Sequence, residues 1–162
     1  MASNSAKAEA LAQQFEQLND EVIAFVEGCD DATWHATCPD DGRPVAAVAS
    51  HIVDGTRAVT EWIRLVSSGQ PVTTTMDDIH ASNAHNAPKG AQRSQAEVSQ
   101  ALRESGAAAA SMVRSLDDES LRHSAPFGPA GGATLTAETV ATRVLPAHPR
   151  SHLATMRHAA AQ

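Results

Sequence analysis

The chain has 162 residues, of which 42% are apolar and 3% aromatic, and its formal net charge is −7. That length suits a single domain over residues 1–162 and is short for two. The charge argues against nucleic acid, whose phosphates are bound by clustered Lys and Arg. No run approaches the roughly 18 apolar residues of a membrane span. The N-terminal MASNSAKAEA lacks the apolar stretch of a secretory signal, so the expected location is cytoplasmic.

Four segments carry a helical period. Over residues 5–27, Leu11, Phe15, Leu18, Val22 and Phe25 recur at steps of four and three, and Gly28 ends the run. Over 44–67, Pro44 suits the first helical position, and the seam reads Val45, Val48, Ile52, Gly55, Val59, Trp62 and Val66. The next segment, MDDIHASNAHNAP, predicts a short extra helix ended by Pro88 that caps one end of the bundle. A third long helix opens at Ser94 with Glu97 three residues on, a capping-box pattern, and runs through Val98, Leu102, Ser105, Ala109, Met112 and Leu116.

Residues 122–132 hold two prolines and three glycines, which predicts an irregular crossover loop. The fourth helix then begins near Thr136, with Ala141, Leu145, His148, His152, Thr155 and Ala159 on its seam. No segment alternates with period two for long enough to predict a strand. An all-α, antiparallel four-helix bundle with a short extra helix between helices 2 and 3 is the economical architecture.

Cys29 and Cys38 match neither a CxxC pair nor a zinc knuckle, and two free thiols are expected of them. The eight histidines, against no tyrosine, carry more information. His148 and His152 are four apart, so on a helix they stack on one face and can converge on one ion. The pair alone also fits two half-exposed rings, or imidazoles hydrogen-bonded to neighbouring side chains. His51 flanks the seam of the second helix and can face the same interior. Three ring systems there need polar partners that this core scarcely offers, a need met by one divalent metal on His51, His148 and His152. Three neutral imidazoles suit zinc or nickel, as well as cobalt or iron, and leave a position open for substrate or water. Asp54, one turn past His51, is either a hydrogen-bond acceptor for a ligand ring or a solvated carboxylate.

Other candidates carry less. His80, Asn83 and His85 either line a pocket mouth or merely cap a short helix. His35, His123 and His158 are expected on the surface. Arg150 and Arg157 either bind a carboxylate of substrate or thiol or are solvated. No Ser/His/Asp or Cys/His spacing and no glycine-rich phosphate loop is present.

The segments VASHIVDGTRAVTEWIR, DDIHASNAHNA and RVLPAHPRSHLATMR resemble the DinB superfamily of metal-binding four-helix bundles, above all in one His of helix two combined with HxxxH in helix four. The resemblance implies a homodimer with a catalytic zinc or nickel ion on His51, His148 and His152. It also implies a thiol cosubstrate, since characterised members are mostly transferases and isomerases using bacillithiol, mycothiol or glutathione, the mycothiol-dependent maleylpyruvate isomerases among them. The Ala-rich, Lys-poor composition is of the kind GC-rich genomes encode, which makes mycothiol the first thiol to consider. Pro146 and Pro149 depart from the pattern and predict an irregular fourth helix between about Val144 and Ser151. The expected function is addition or transfer of a low-molecular-weight thiol to a small electrophile. The alternatives are a metal-dependent hydrolase and a non-catalytic bundle that binds a metal or small ligand.

Overall fold

The computed structural model describes residues 5–162. Its long helices are α1 (Ala6–Gly28), α3 (Val45–Ser67), α5 (Gln95–Arg114) and α8 (Leu145–Ala160). Shorter ones are α2 (Asp31–His35), α4 (Met76–Gly90), α6 (Asp118–Arg122) and α7 (Ala137–Thr139). The long helices form the four-helix bundle: α1 packs on α5 and α8, and α3 packs on the same two from the other side. Capping chemistry sets the starts of several elements. Ser5 caps α1, and full capping boxes, Thr75 with Asp78 and Ser94 with Glu97, open α4 and α5.

The core has two layers along the bundle. One joins Phe15, Ile63, Val66, Val113 and Leu145; the other joins Val22, Val48, Ile52, Leu102, Leu153 and Met156. The early half of α1 therefore meets the late halves of α3 and α5 and the start of α8, so α1 and α8 run one way and α3 and α5 the other. This requires the chain to return, between α3 and α5, to the end of the bundle at which α3 began. The α4 helix makes that return: it lies along α3, and Gly90 at its end sits where a Cβ would come within 2.9 Å of Ser50 Cβ. The extra helix thus flanks the bundle rather than capping an end. It also passes through Pro88 to Gly90, because a proline near a helix C-terminus breaks only one hydrogen bond in a turn already close to ending.

The predicted crossover loop contains a hairpin, β1 (Ser124–Phe127) and β2 (Ala133–Thr136), paired antiparallel with Ala125 opposite Leu135. Gly131 and Gly132, at φ of 66° and 85°, make the reversal that L side chains resist. Ala125 and Phe127 alternate inward, and Phe127 meets Trp62 edge-on with ring centroids 5.4 Å apart. Four residues per strand are too few for a period of two to stand out in sequence.

The fourth helix is irregular, but earlier than predicted. A π-helical turn occupies Val140–Val144, with Leu145 N–H donating to Val140 C=O, and α8 then continues from Leu145 through Pro149 to Ala160. Pro146 falls in the first turn of α8, where a missing N–H costs least. The wider turn also shifts the phase of α8 relative to a regular helix. The buried face of α8 is Leu145, Pro149, Leu153, Met156 and Ala159, so His148 and His152 flank the core seam instead of lying on it. Leu11, Phe25, Trp62 and Met112, all on predicted seams, are likewise only partly buried. Both cysteines are free thiols. Among the described residues, no helix is long and apolar enough to cross a membrane.

Candidate metal centre

Two helices bring three imidazoles together: His51 from the second turn of α3, His148 and His152 from successive turns of α8. Gly55 makes the approach possible. A Cβ built there would lie 2.2 Å from Cε1 and 2.5 Å from Nδ1 of His148, so the ring occupies the space that any other residue would fill. The absence of a side chain at 55 is therefore part of the site.

The ring centroids of His51, His148 and His152 are 4.6 to 4.7 Å apart, and each pair is edge-on. One nitrogen from each ring lies within 4.8 Å of the others, and His51 Nε2 and His148 Nε2 are 2.9 Å apart. Three nitrogens at tetrahedral corners around zinc stand about 3.3 Å from one another, given Zn–N bonds of about 2.0–2.1 Å. The cluster is within a small adjustment of that triangle. Burial pushes His51 down to about 4 and His148 to about 3, and it lowers His152 as well, so all three rings are neutral at pH 7. Neutral rings have free lone pairs, the form in which imidazole ligates. The donor set therefore fits a divalent ion with at least one position left open. Nδ1 of His148 is buried and has no hydrogen-bond partner among the described residues.

Around this triangle the sequence candidates separate. Asp54 is half-buried beside His51, and both line a cavity of about 350 Å³ with His148. Its carboxylate accepts no hydrogen bond from any of the three rings among the described residues. Asn83 lines the same cavity from α4, whereas His80, one turn earlier, is exposed, and His85 turns outward to Lys89. Arg150 lies on the opposite flank of α8 beside Gln14 and Gln17 of α1, away from the histidines, and Arg157 pairs with Glu21. His35, His123 and His158 are exposed.

Three neighbours escape a reading of the sequence. Gly55 is one, seen there only as a seam position. Asp41 and Arg43 are the others: they pair at 2.8 Å on the turn before α3, and Arg43 lines a small cleft with His51. Both are charges that act on the His51 and His152 rings. Only the tertiary packing of that turn could reveal them.

The comparison with curated proteins returned no match. Among solved structures the chain is similar to YfiT from Bacillus subtilis, described as a probable metal-dependent hydrolase with an unusual four-helix bundle topology. The two superpose with a TM-score of 0.76 at 17% identity, over 99% of this chain and 90% of that one. At that identity the likeness speaks for the fold. The return of the chain through α4 accounts for a bundle with parallel as well as antiparallel neighbours. The sequence matches the DinB superfamily over residues 14–156, a span that includes all three histidines, and the chain belongs to that superfamily.

Proposed function

We propose that the protein is a metal-dependent enzyme in which His51, His148 and His152 hold one divalent ion, zinc or nickel, next to a small-molecule cavity. The observation that carries this reading is the convergence of three neutral imidazoles from two helices, two of which, His51 and His148, line that cavity. An ion bound there supplies a Lewis acid with an open position, at which a thiol is deprotonated outright and water more readily than in bulk. Because all three protein ligands are neutral, none offsets the ion's charge. The residues of the chain then do the rest: Gly55 leaves room for the His148 ring, and α3 and α4 supply walls against which the electrophile can pack.

The reaction we assign is addition or transfer of a low-molecular-weight thiol, such as mycothiol, to a small electrophile. A second reading, hydrolysis by activated water, is favoured by the description of YfiT as a probable metal-dependent hydrolase. The metal is tested first. In protein purified without chelator, His51→Ala, His148→Ala or His152→Ala should each cut zinc occupancy at least about tenfold, whereas His35→Ala should not change it; equal occupancy in wild type and His152→Ala would sink the site. Cobalt-substituted protein then separates the reactions. A thiol that enters the open position shifts the cobalt absorption, and turnover should require it. If mycothiol, bacillithiol and glutathione all leave the spectrum unmoved, the thiol reading gives way to hydrolysis.

A further inference from the structure

The 350 Å³ cavity beside the histidines is a cleft lined by α3, α4, Val144 and His148. Its size is at the low end for small-molecule sites, and its composition is uneven. Trp62, Met76, Ile79 and Val144 make one end apolar, while Asp54 and Asn83 stand at the end nearest His51 and His148. Apart from the two histidines, the ionisable residues lining it are Asp54 and Asp78, with no Lys or Arg among the described residues. The carboxylate of Asp78 already accepts the N–H of Thr75 at 2.8 Å in the cap of α4.

Asp54 differs. It is half-buried, its carboxylate has no hydrogen-bond partner among the described residues, and burial raises its pKa against the opposing pull of Arg93 and Arg57. Neither arginine lines the cavity, so they favour the charged carboxylate without covering it. A partly desolvated, unpartnered anion in a cavity wall is relieved most by a charged donor, which makes a shorter and stronger hydrogen bond than a neutral one. A carboxylate ligand at the same place meets repulsion instead.

We infer that this cavity binds a small molecule with an apolar body and a protonated amine, the amine seated on Asp54 and the body against Trp62, Met76 and Ile79. As a statement about the substrate it rests on the metal-centred reading above; as a statement about binding it rests on the cavity wall alone. Asp54 is then a specificity-determining residue that selects cations and donors over anions.

The test uses 2-phenylethylamine, 2-phenylethanol and 3-phenylpropanoate as probes of similar shape on the full chain stripped of metal, so that no ion can ligate the acid. Calorimetry should rank amine, alcohol, acid, with the amine at least about tenfold tighter than the acid. Asp54→Asn should bring that ratio to within about twofold of unity while the alcohol changes little. Ligand binding should also perturb tryptophan fluorescence in wild type, and Trp62→Phe should abolish that response while calorimetric binding persists. An acid bound as tightly as the amine, or a preference that survives Asp54→Asn, overturns the inference. Loss of zinc binding alone would defeat the metal reading and leave this result standing, so the two failures are distinguishable.

Discussion

At the scale of single residues, the position that decides whether the imidazoles meet is a glycine. His148 lies against Gly55 so closely that a methyl group there would sit 2.2 Å from its ring. Alanine is otherwise favourable inside a helix, by about 1 kcal/mol over glycine. Gly55→Ala should therefore separate two properties: thermal stability without metal stays level or falls modestly, while zinc affinity drops at least about tenfold because His148 must swing away. A chelator-competition titration checks the affinity and a melting curve the stability; unchanged affinity would mean that the ring has room to adjust. The histidines themselves are legible in the sequence, since residue type and i, i+4 spacing are local facts. Gly55 is not, because a small residue on an apolar seam reads as ordinary packing until its neighbour across the helix pair is known. Asp41 and Arg43 are hidden for the same reason, being charges in a polar turn that only tertiary structure brings near His51 and His152.

At the scale of elements, the long helices are legible from their period, and the errors collect where geometry departs from the regular α form. A π turn has no sequence period of its own, so 3.6 residues per turn carried through Val140–Val144 places the histidines on the core seam. The prolines are a sound warning of irregularity with the wrong address. Since α8 is already helical at Pro149, Pro149→Ala should leave zinc affinity within about threefold of wild type, and a larger shift by the same titration would show that the proline positions His148. Where α1 and α5 pair, Arg114 donates to Glu9 at 2.9 Å and to Glu16 at 2.5 and 2.7 Å. These bonds hold both carboxyls below their ordinary value of 4.5. The unfolded chain therefore binds more protons in acid than the folded one, and this contribution is complete above about pH 4.5 and lost as pH falls through the lowered values. Arg114→Ala should flatten the acid limb of stability against pH, modestly because the pair is exposed. Urea unfolding at pH 5.5 and pH 3.5 measures the difference, and parallel losses in both proteins would contradict it.

At the scale of the whole molecule, the connection that makes the bundle hard to foresee also assembles the site. Four amphipathic helices specify a bundle but not which neighbours run parallel, because every helix offers one apolar face whatever its direction. Here α4 carries the chain back along α3, lines the cavity with Met76, Ile79 and Asn83, and leaves α3 free to pair with α8 on its other side. His51 and His148 are 97 residues apart, so an ion on the triad links the second long helix to the last. Binding to the folded chain alone stabilises it by mass action, about 2.7 kcal/mol when free metal is 100 times its dissociation constant. A domain of this size shifts its melting temperature by about 2–4 °C per kcal/mol. Zinc at that excess should therefore raise the melting temperature by about 5–10 °C. His152→Ala should lose most of that shift, because two remaining imidazoles form a far weaker site, whereas His158→Ala, on the exposed side of α8 beside Asp40, should retain it. Calorimetric scans of the three proteins with and without zinc decide the matter: an equal rise in all three would place the ion elsewhere, and no rise in wild type would remove the metal from the account of this fold.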